Sequence, residues 1–402
     1  MDAIQHIMPE PVSFDNPFKD YKKIRRKKDM LRVSPTKWLV MGYNASFAAL
    51  CSPHVSHWQD EENKGDGGQL KNSVVDIARL FTPETNTRFR DIIIQALSMK
   101  NLICDEAGLK AKAEKLLEKF EGKPGFDFIG EYADPFTFKI ICEVMGFTEA
   151  ESDELYVIIK AKEQQYLQYI LFNARKDRSA ENDTYRELIR FMEKFTERQL
   201  QNKDNPHSLI AMLITESAAN NGDKAVDVLY LCSIVLFLIY TGHHNMTNFL
   251  GNIIVFLSKH KSILDALIAD PGLVDKSINE FLRLEGPVQF LMVHAKSDFV
   301  LEQTDIKSGA ELLVCIGASN RDETVFESPD EFKLDREMTR HLSFGYGAYR
   351  CIGSKLANME IAAALKALLE KFPAFRVDKN GIVWKTDNIV ERGPEKLMLK
   401  LS

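Results

Sequence analysis

The sequence predicts a mainly α-helical protein with small β-sheets, and three observations carry that expectation. From about Leu109 to Lys203, apolar residues recur at three- and four-residue steps, as in Leu188, Phe191, Met192 and Phe195, the spacing of one helix face. No proline falls between Pro206 and Pro271, a span long enough for several helices, one of them long and covering Leu231 to Leu257. Strand-like text is confined to short stretches around Trp38-Leu39-Val40-Met41 and within Pro287 to Asp298.

In chain order, residues 1–28 carry Pro9, Pro11 and Pro17 and read as an irregular arm leading into a short basic helix. Its run from Lys19 to Lys28 is expected to be a solvated face. After the strand at Trp38, Ala45 to Leu50 reads as a short helix, and the polar, glycine-rich Glu61 to Gly68 as a candidate mobile segment. Pro83 suits the first turn of a helix and Glu84 its positive end, so Asn86 and Arg90 fall on that helix. Gly122 to Gly125 and Ser179 to Asp183 punctuate the helical text that follows, and Tyr166 to Phe172 reads as an apolar core helix. Glu280 and Arg283 stand three residues apart, on one helix face, where a carboxylate and a guanidinium can pair. The last long helix runs from Ser354 to Phe372, with Ile361, Leu365, Leu368 and Leu369 on its apolar face and Pro373 as its stop.

Composition narrows the class. A chain of 402 residues that is 45% hydrophobic can bury a large core in one domain or two. The net charge of -6 argues against nucleic acid as a partner. Six dispersed cysteines with no C-x-x-C pair belong to a reducing compartment. The first residues show neither the basic start nor the apolar stretch of a secretory leader. The longest apolar run, Val228 to Tyr240, is shorter than the ~20 residues of a membrane-spanning helix. The expectation is a cytoplasmic protein with no membrane span.

The chemistry concentrates in one stretch, His341-Leu342-Ser343-Phe344-Gly345-Tyr346-Gly347-Ala348-Tyr349-Arg350-Cys351-Ile352-Gly353, which runs directly into the last helix. A glycine-rich loop at a helix N-terminus lowers a thiol pKa and lets backbone come close to a flat group. Cys351 therefore reads as a thiolate ligand for heme iron, with a small buried cysteine in a turn as the plainer alternative. Phe344, Gly345, Gly347, Cys351, Gly353, Leu356, Ala357 and Glu360 match the heme-binding signature Phe-Gly-x-Gly-x-(Arg or His)-x-Cys-x-Gly-x-x-Leu-Ala-x-x-Glu. On these residues the chain resembles the cytochrome P450 family, and among its members the bacterial ones that lack a membrane anchor.

The resemblance implies a single cytochrome P450 domain over residues 1–402. Its fold would be the family's triangular prism, with heme b (iron protoporphyrin IX) between the long central helix and the Cys351 loop. It implies reductive activation of dioxygen and a monooxygenase acting on a small organic molecule, with secondary metabolites such as polyketides as the expected class. The molecule could be free or tethered to a carrier protein. Electrons would come from a separate ferredoxin or flavodoxin with its reductase. It also implies a structural network of Glu280, Arg283 and Arg336. Val288, Phe290 and Leu291 would belong to the pocket wall.

Several positions depart from the family pattern. In the long helix the family carries a small residue, a glycine, an acid and an alcohol; this chain keeps Gly242 but has His244 for the acid and Asn245 for the alcohol. An amide is a poor proton donor, whereas an imidazole titrates near neutral pH. Two alternatives therefore stay open: a heme-thiolate enzyme with other chemistry (peroxide use, isomerisation or dehydration), and a heme protein that binds a ligand without turnover. Among the residues that hold heme propionates in the family, Asn86, Tyr349 and Val293 replace the usual ones. Arg90 and His341 are retained, with Arg350 and His294 adjacent to altered positions.

Overall fold

The computed structural model describes residues 8–9, 11–56, 90–95, 97, 105–161, 178–202, 208–221, 228–336, 340–386 and 389–401. The segments Glu61–Gly68, Pro83–Asn86 and Tyr166–Phe172 lie outside them. The described chain divides into two units, one of Met1–Glu62, Lys110–Asp134 and Asn245–Ser402, the other of Asn63–Leu109 and Pro135–His244.

The first unit holds all the strands. Helix α1 (Phe18–Arg25) leads into β1 (Met30–Ser34) and β2 (Lys37–Val40), then α2 (Tyr43–Cys51) and β3 (Val55–Ser56). These strands join β5 (Phe290–Ala295) and β8 (Glu311–Cys315) in a five-stranded sheet of order β1-β2-β8-β5-β3. Only β2 and β8 run parallel, with Lys37 opposite Glu311 and the pair bridged at 2.7 Å. A second sheet, β4-β10-β9, unites β4 (Gly125–Asp127) with β9 (Arg376–Trp384) and β10 (Pro394–Lys400); β6 (Phe299–Leu301) and β7 (Thr304–Ile306) form a hairpin.

Strand β5 is buried on both sides, so its period-two alternation assigns neighbours to different cores. Leu291, Val293 and Ala295 pack with Leu50, Val314 and Leu342. Phe290 and Met292 pack with Tyr21, Ile24 and Leu313.

The basic arm is more structural than its composition predicts. Tyr21, Ile24 and Arg25 on α1 are buried, because helical spacing turns them inward. Arg25 pairs with Asp322 at 2.8 Å and with Glu323, and Lys22 reaches Asp330 at 2.8 Å.

The remaining helices of this unit serve the site. They include α9 (Asn245–Lys259), α10 (Lys261–Ala269), α11 (Leu273–Glu285), the short α12 (Ile316–Ser319) and α13 (Ser354–Lys371). Tyr132 donates from its hydroxyl to the Ala364 carbonyl of α13 at 3.0 Å.

Helix α3 (Glu106–Glu118) and α4 (Asp134–Met145) each begin in one unit and end in the other. The second unit also contains α5 (Glu149–Ala161), α6 (Arg178–Asn202), α7 (Leu209–Asn221) and α8 (Val228–Leu238). Ser179–Asp183, predicted as a break, lies inside α6 near its start. Serine, aspartate and asparagine favour helix beginnings as well as turns, and the sequence pattern alone does not separate the two. The predicted long helix is helical throughout, but a π-helical turn at Ile239–His244 separates α8 from α9. Among the described residues no helix is long and apolar enough to cross a membrane.

Candidate functional site: the Cys351 loop and the π-helical turn

The loop before α13 is shaped by two glycines in the left-handed region, Gly345 at φ 65° and Gly347 at φ 70°. At Gly347 a Cβ would also stand 2.6 Å from the Leu50 carbonyl oxygen, so the end of α2 presses on the loop backbone. The Gly345 N–H donates to the Leu342 carbonyl and the Cys351 N–H to the Phe344 carbonyl, both at 2.8 Å. The loop thus closes on itself just before the cysteine. Gly353 then caps α13, where a Cβ would reach only ordinary contact, 3.9 Å, with the Cys351 Sγ. Cys351 is exposed and belongs to no disulfide. An accessible thiol at a helix start, on a loop whose glycines keep bulk away, fits a flat metal macrocycle bound through sulfur.

A buried ionic network supports the loop from below. Arg283 donates Nε and Nη2 to the two carboxylate oxygens of Glu280, each at 2.8 Å, and Arg336 Nε adds a third bond at 2.9 Å. The Lys333 N–H supplies a fourth at 3.1 Å. Burial alone would raise the Glu280 pKa, but Arg283, Arg336 and the Lys333 N–H outweigh it and hold the carboxyl below its ordinary value. The guanidiniums continue outward: Arg283 Nη1 donates to the carbonyls of Asn320 (2.9 Å) and Pro329 (2.6 Å), and Arg336 Nη1 to that of Glu327 (2.7 Å).

Asn320 carries this network into the loop. Its Oδ1 accepts from the Leu342 N–H at 2.7 Å and its Nδ2 donates to Ser343 Oγ at 2.8 Å, while that hydroxyl donates to the Leu282 carbonyl at 2.6 Å. The sequence pattern Ala318-Ser319-Asn320-Arg321-Asp322 was legible only as turn and packing residues. A paired donor and acceptor on one side chain, just after a strand and a one-turn helix, is the signal that marks Asn320 out.

Tyr43 adds a bond from its hydroxyl to the Arg340 carbonyl at 2.6 Å, and Phe47 stacks obliquely on Tyr346, ring centres 4.5 Å apart.

The predicted site residues distribute as follows. His341 accepts at Nδ1 from the Ser343 N–H, 3.3 Å away, and its Nε2 lies 3.4 Å from Asn279 Oδ1. Burial and the cations Arg283 and Arg350 push its pKa down to about 4, so its imidazole is neutral at pH 7. Phe344 and Tyr349 are half-buried and Arg350 is exposed. Leu291 faces the loop, 3.7 Å from the position of a Cβ on Gly345.

Two of the predicted residues face away from the loop. His294 follows Val293 on β5 and therefore points to the opposite face from Leu291 and Val293, away from the core that contains Leu342. Its Nδ1 is buried without a partner among the described residues, and burial lowers its pKa. Phe290 turns the same way and packs edge-on against Tyr21 at 5.7 Å. Val288 is half-buried and bridges Glu391. Asn86 lies outside the described residues, and Arg90 opens a helical segment, residues 90–95, in the second unit.

The second unit contains the π-helical turn. A Cβ on Gly242 would stand 3.0 Å from Ile141 Cδ1, so glycine permits close packing on α4. His243, which sequence reasoning passed over, is the imidazole built into the fold: it is buried, with Nδ1 2.7 Å from Thr137 Oγ1 and its ring against the edge of Phe138 at 5.3 Å. His244 is half-buried and stacks on Tyr240, one turn back, at 6.1 Å. Asn245 is half-buried and opens α9 in the first unit.

Fold and loop together define a heme-thiolate protein class, and comparison with known proteins agrees. The family profile described as Cytochrome P450 matches residues 80–400. The chain belongs to the cytochrome P450 family. It is 29% identical over 378 residues to the polyketide biosynthesis cytochrome P450 PksS of Bacillus subtilis, covering 91% of this chain and 89% of that one. The solved structure of PksS superimposes with a TM-score of 0.78 over 97% of both chains. The 6-deoxyerythronolide B hydroxylase of Saccharopolyspora erythraea is 26% identical, covering 90% of each chain. P450BioI, solved with an acyl carrier protein bearing hexadec-9Z-enoic acid, shares the fold with a TM-score of 0.80 over 97% of this chain and 99% of that one, at 23% identity. Family membership implies a heme cofactor and makes the chain an oxidoreductase of monooxygenase type.

Proposed function

We propose that the protein is a heme b monooxygenase with Cys351 as the axial iron ligand, oxidising a small organic molecule in secondary metabolism. The observation that carries this reading is the exposed Cys351 thiol on a glycine-shaped loop tied through Asn320 to the Glu280–Arg283–Arg336 network. Bound through sulfur, heme supplies dioxygen activation, because a thiolate pushes electron density toward O–O cleavage.

The residues divide the remaining work. Gly345, Gly347 and Gly353 keep the approach to sulfur open, and Phe344 shields it from one side. Arg90 and His341 are the retained propionate partners, with Asn86, Tyr349 and Arg350 as further hydrogen-bond donors. His341 is neutral without an anion beside it and would gain a proton next to a propionate, since an opposite charge favours its charged form. Leu291 and Val288 contribute apolar surface.

The polyketide-pathway name of PksS supports a polyketide-type substrate, and the carrier-protein complex of P450BioI supports one delivered on a carrier. Electrons come from a separate ferredoxin or flavodoxin with its reductase. The chain works in the cytoplasm as a single cytochrome P450 domain.

The ultraviolet–visible spectrum of the purified protein, reduced under carbon monoxide, tests this. A strongly red-shifted Soret band establishes thiolate ligation; a band at the histidine-type position removes the chemical basis of the reading.

A second reading is favoured by His244 and Asn245. With the usual acid and alcohol replaced, proton delivery follows a different route or the chemistry differs from plain hydroxylation. Unchanged turnover and product distribution in His244→Ala and Asn245→Ala would dispose of it.

A further inference from the structure

At the start of α1 the basic arm brings an aromatic ring against two guanidiniums. That of Arg321 lies 3.7 Å from the centre of the Phe18 ring and that of Arg392 lies 5.1 Å from it. Both arginines bind one carboxylate at the end of α11: Arg392 Nη1 donates to Glu285 Oε2 at 2.7 Å and Arg321 Nη2 to Glu285 Oε1 at 3.3 Å. Arg392 Nη2 also ties in the arm's backbone through the Asp15 carbonyl at 2.8 Å, and Arg321 Nη2 reaches the Leu284 carbonyl at 2.8 Å.

The Nε of each arginine is buried without a hydrogen-bond partner among the described residues. A buried N–H left bare is a cost, and the negative face of an aromatic ring offsets it for a cation. Phe18 offers that face to both arginines, and Trp384, 4.6 Å away, offers a second one to Arg392.

What the arginines hold is the link from α11 to β5. The Arg392 N–H donates to the Pro287 carbonyl at 2.8 Å, the Gln289 N–H donates to the Val390 carbonyl at 2.7 Å, and Val288 bridges Glu391. From Gly286 to Gln289, Val288 is the one residue that is not fully buried. Its place is set by the backbone of residues 390–392, and that backbone is held by the Arg392 side chain on Glu285, Asp15 and Phe18.

We infer that Phe18 is a positioning residue for the pocket wall: its ring clamps Arg321 and Arg392 on Glu285 and, through the Arg392 backbone, fixes where Val288 stands, which sets the size of molecule admitted. The clamp stands on the ring contacts and hydrogen bonds alone. The size selection rests on the monooxygenase reading, in which Val288 is apolar wall surface.

Heme-loaded Phe18→Ala, Phe18→Leu and Phe18→Trp test this with two measurements, neither of them turnover. The first is amide hydrogen exchange at Gln289 and Arg392. Alanine and leucine are both expected to speed it by about fivefold or more, and tryptophan to restore protection, because only a ring supplies the face. Leucine at the wild-type rate would reduce Phe18 to an apolar filler and overturn the clamp. Equally faster exchange at the Cys351 N–H would mean that the fold as a whole has loosened, and would overturn the positioning role. The second measurement is the Soret shift on titration with imidazole and with 4-phenylimidazole, which differ by one phenyl ring. Phe18→Leu is expected to weaken the phenyl compound by about fivefold or more and to leave imidazole unchanged. Equal weakening of both would place the effect at the iron, and no change in either would uncouple the arm from the wall; both outcomes overturn the size selection. A wild-type protein whose Soret band neither compound shifts overturns the heme reading together with the size selection, while exchange at Gln289 and Arg392 still decides the clamp.

Discussion

The Cys351 loop and the π-helical turn are built on opposite principles. The loop is held redundantly: two left-handed glycines, a self-closing hydrogen bond, Asn320 on two groups and a four-bond carboxylate behind it. The turn is held by side chains of α4, with Thr137 and Phe138 on His243 and Ile141 against Gly242. Its sequence also departs from the family where the loop's mostly conforms. The lesson is a difference in construction: backbone bonds and a buried ion pair fix the loop, whereas side-chain packing from one helix carries the turn.

Breaking the loop's support should have the largest effect. Glu280→Ala leaves Arg283 buried without its carboxylate and is expected to cost about 3–5 kcal/mol, giving protein with little or no heme. Denaturant unfolding and the heme-to-protein absorbance ratio measure it, and near-normal heme content would show that the network is dispensable. Asn320→Ala removes two bonds from the loop and should cost about 2 kcal/mol while leaving the Glu280 pair intact. Its heme content should fall between those of wild type and Glu280→Ala.

Glu360 sharpens the comparison from within the signature itself. It is buried on α13, its Oε1 has no partner among the described residues, and burial pushes its carboxyl well above its ordinary value. The folded protein therefore keeps a proton that the unfolded chain gives up above its ordinary pKa of 4.5, so this group's contribution to stability falls as pH rises beyond that value. Glu360→Gln should gain on wild type by up to about 1.4 kcal/mol per pH unit between pH 5 and 8. Parallel stability curves for the two proteins would mean that Glu360 ionises in the fold.

The smallest effect belongs to the turn. Thr137→Val removes one buried hydrogen bond and should cost about 1 kcal/mol, with faster amide exchange confined to residues 239–244. Thr137→Ser should restore protection. If exchange spreads to the Cys351 loop, the two regions are less independent than their construction suggests.

Much of this protein was determined by sequence alone. The helical periodicity, the short strands, the cysteine loop and the Glu280–Arg283 spacing are local patterns, and local patterns survive reading one residue at a time, whereas Arg336 followed only from the family resemblance. Tertiary structure decided which way side chains point. His294 and Val293 are neighbours in sequence, yet a one-residue step along β5 sends them to opposite faces, Val293 into the core with Leu342. His243 and His244 look equivalent until the packing of α4 gives one of them Thr137 as a partner. Asn320 acquires its role from the Leu342 N–H and the Ser343 hydroxyl, far along the chain. Hydrogen-bond partners set by long-range packing leave no periodic mark on the chain, which is why the Cys351 loop was legible as a motif and the part Asn320 plays in it was not.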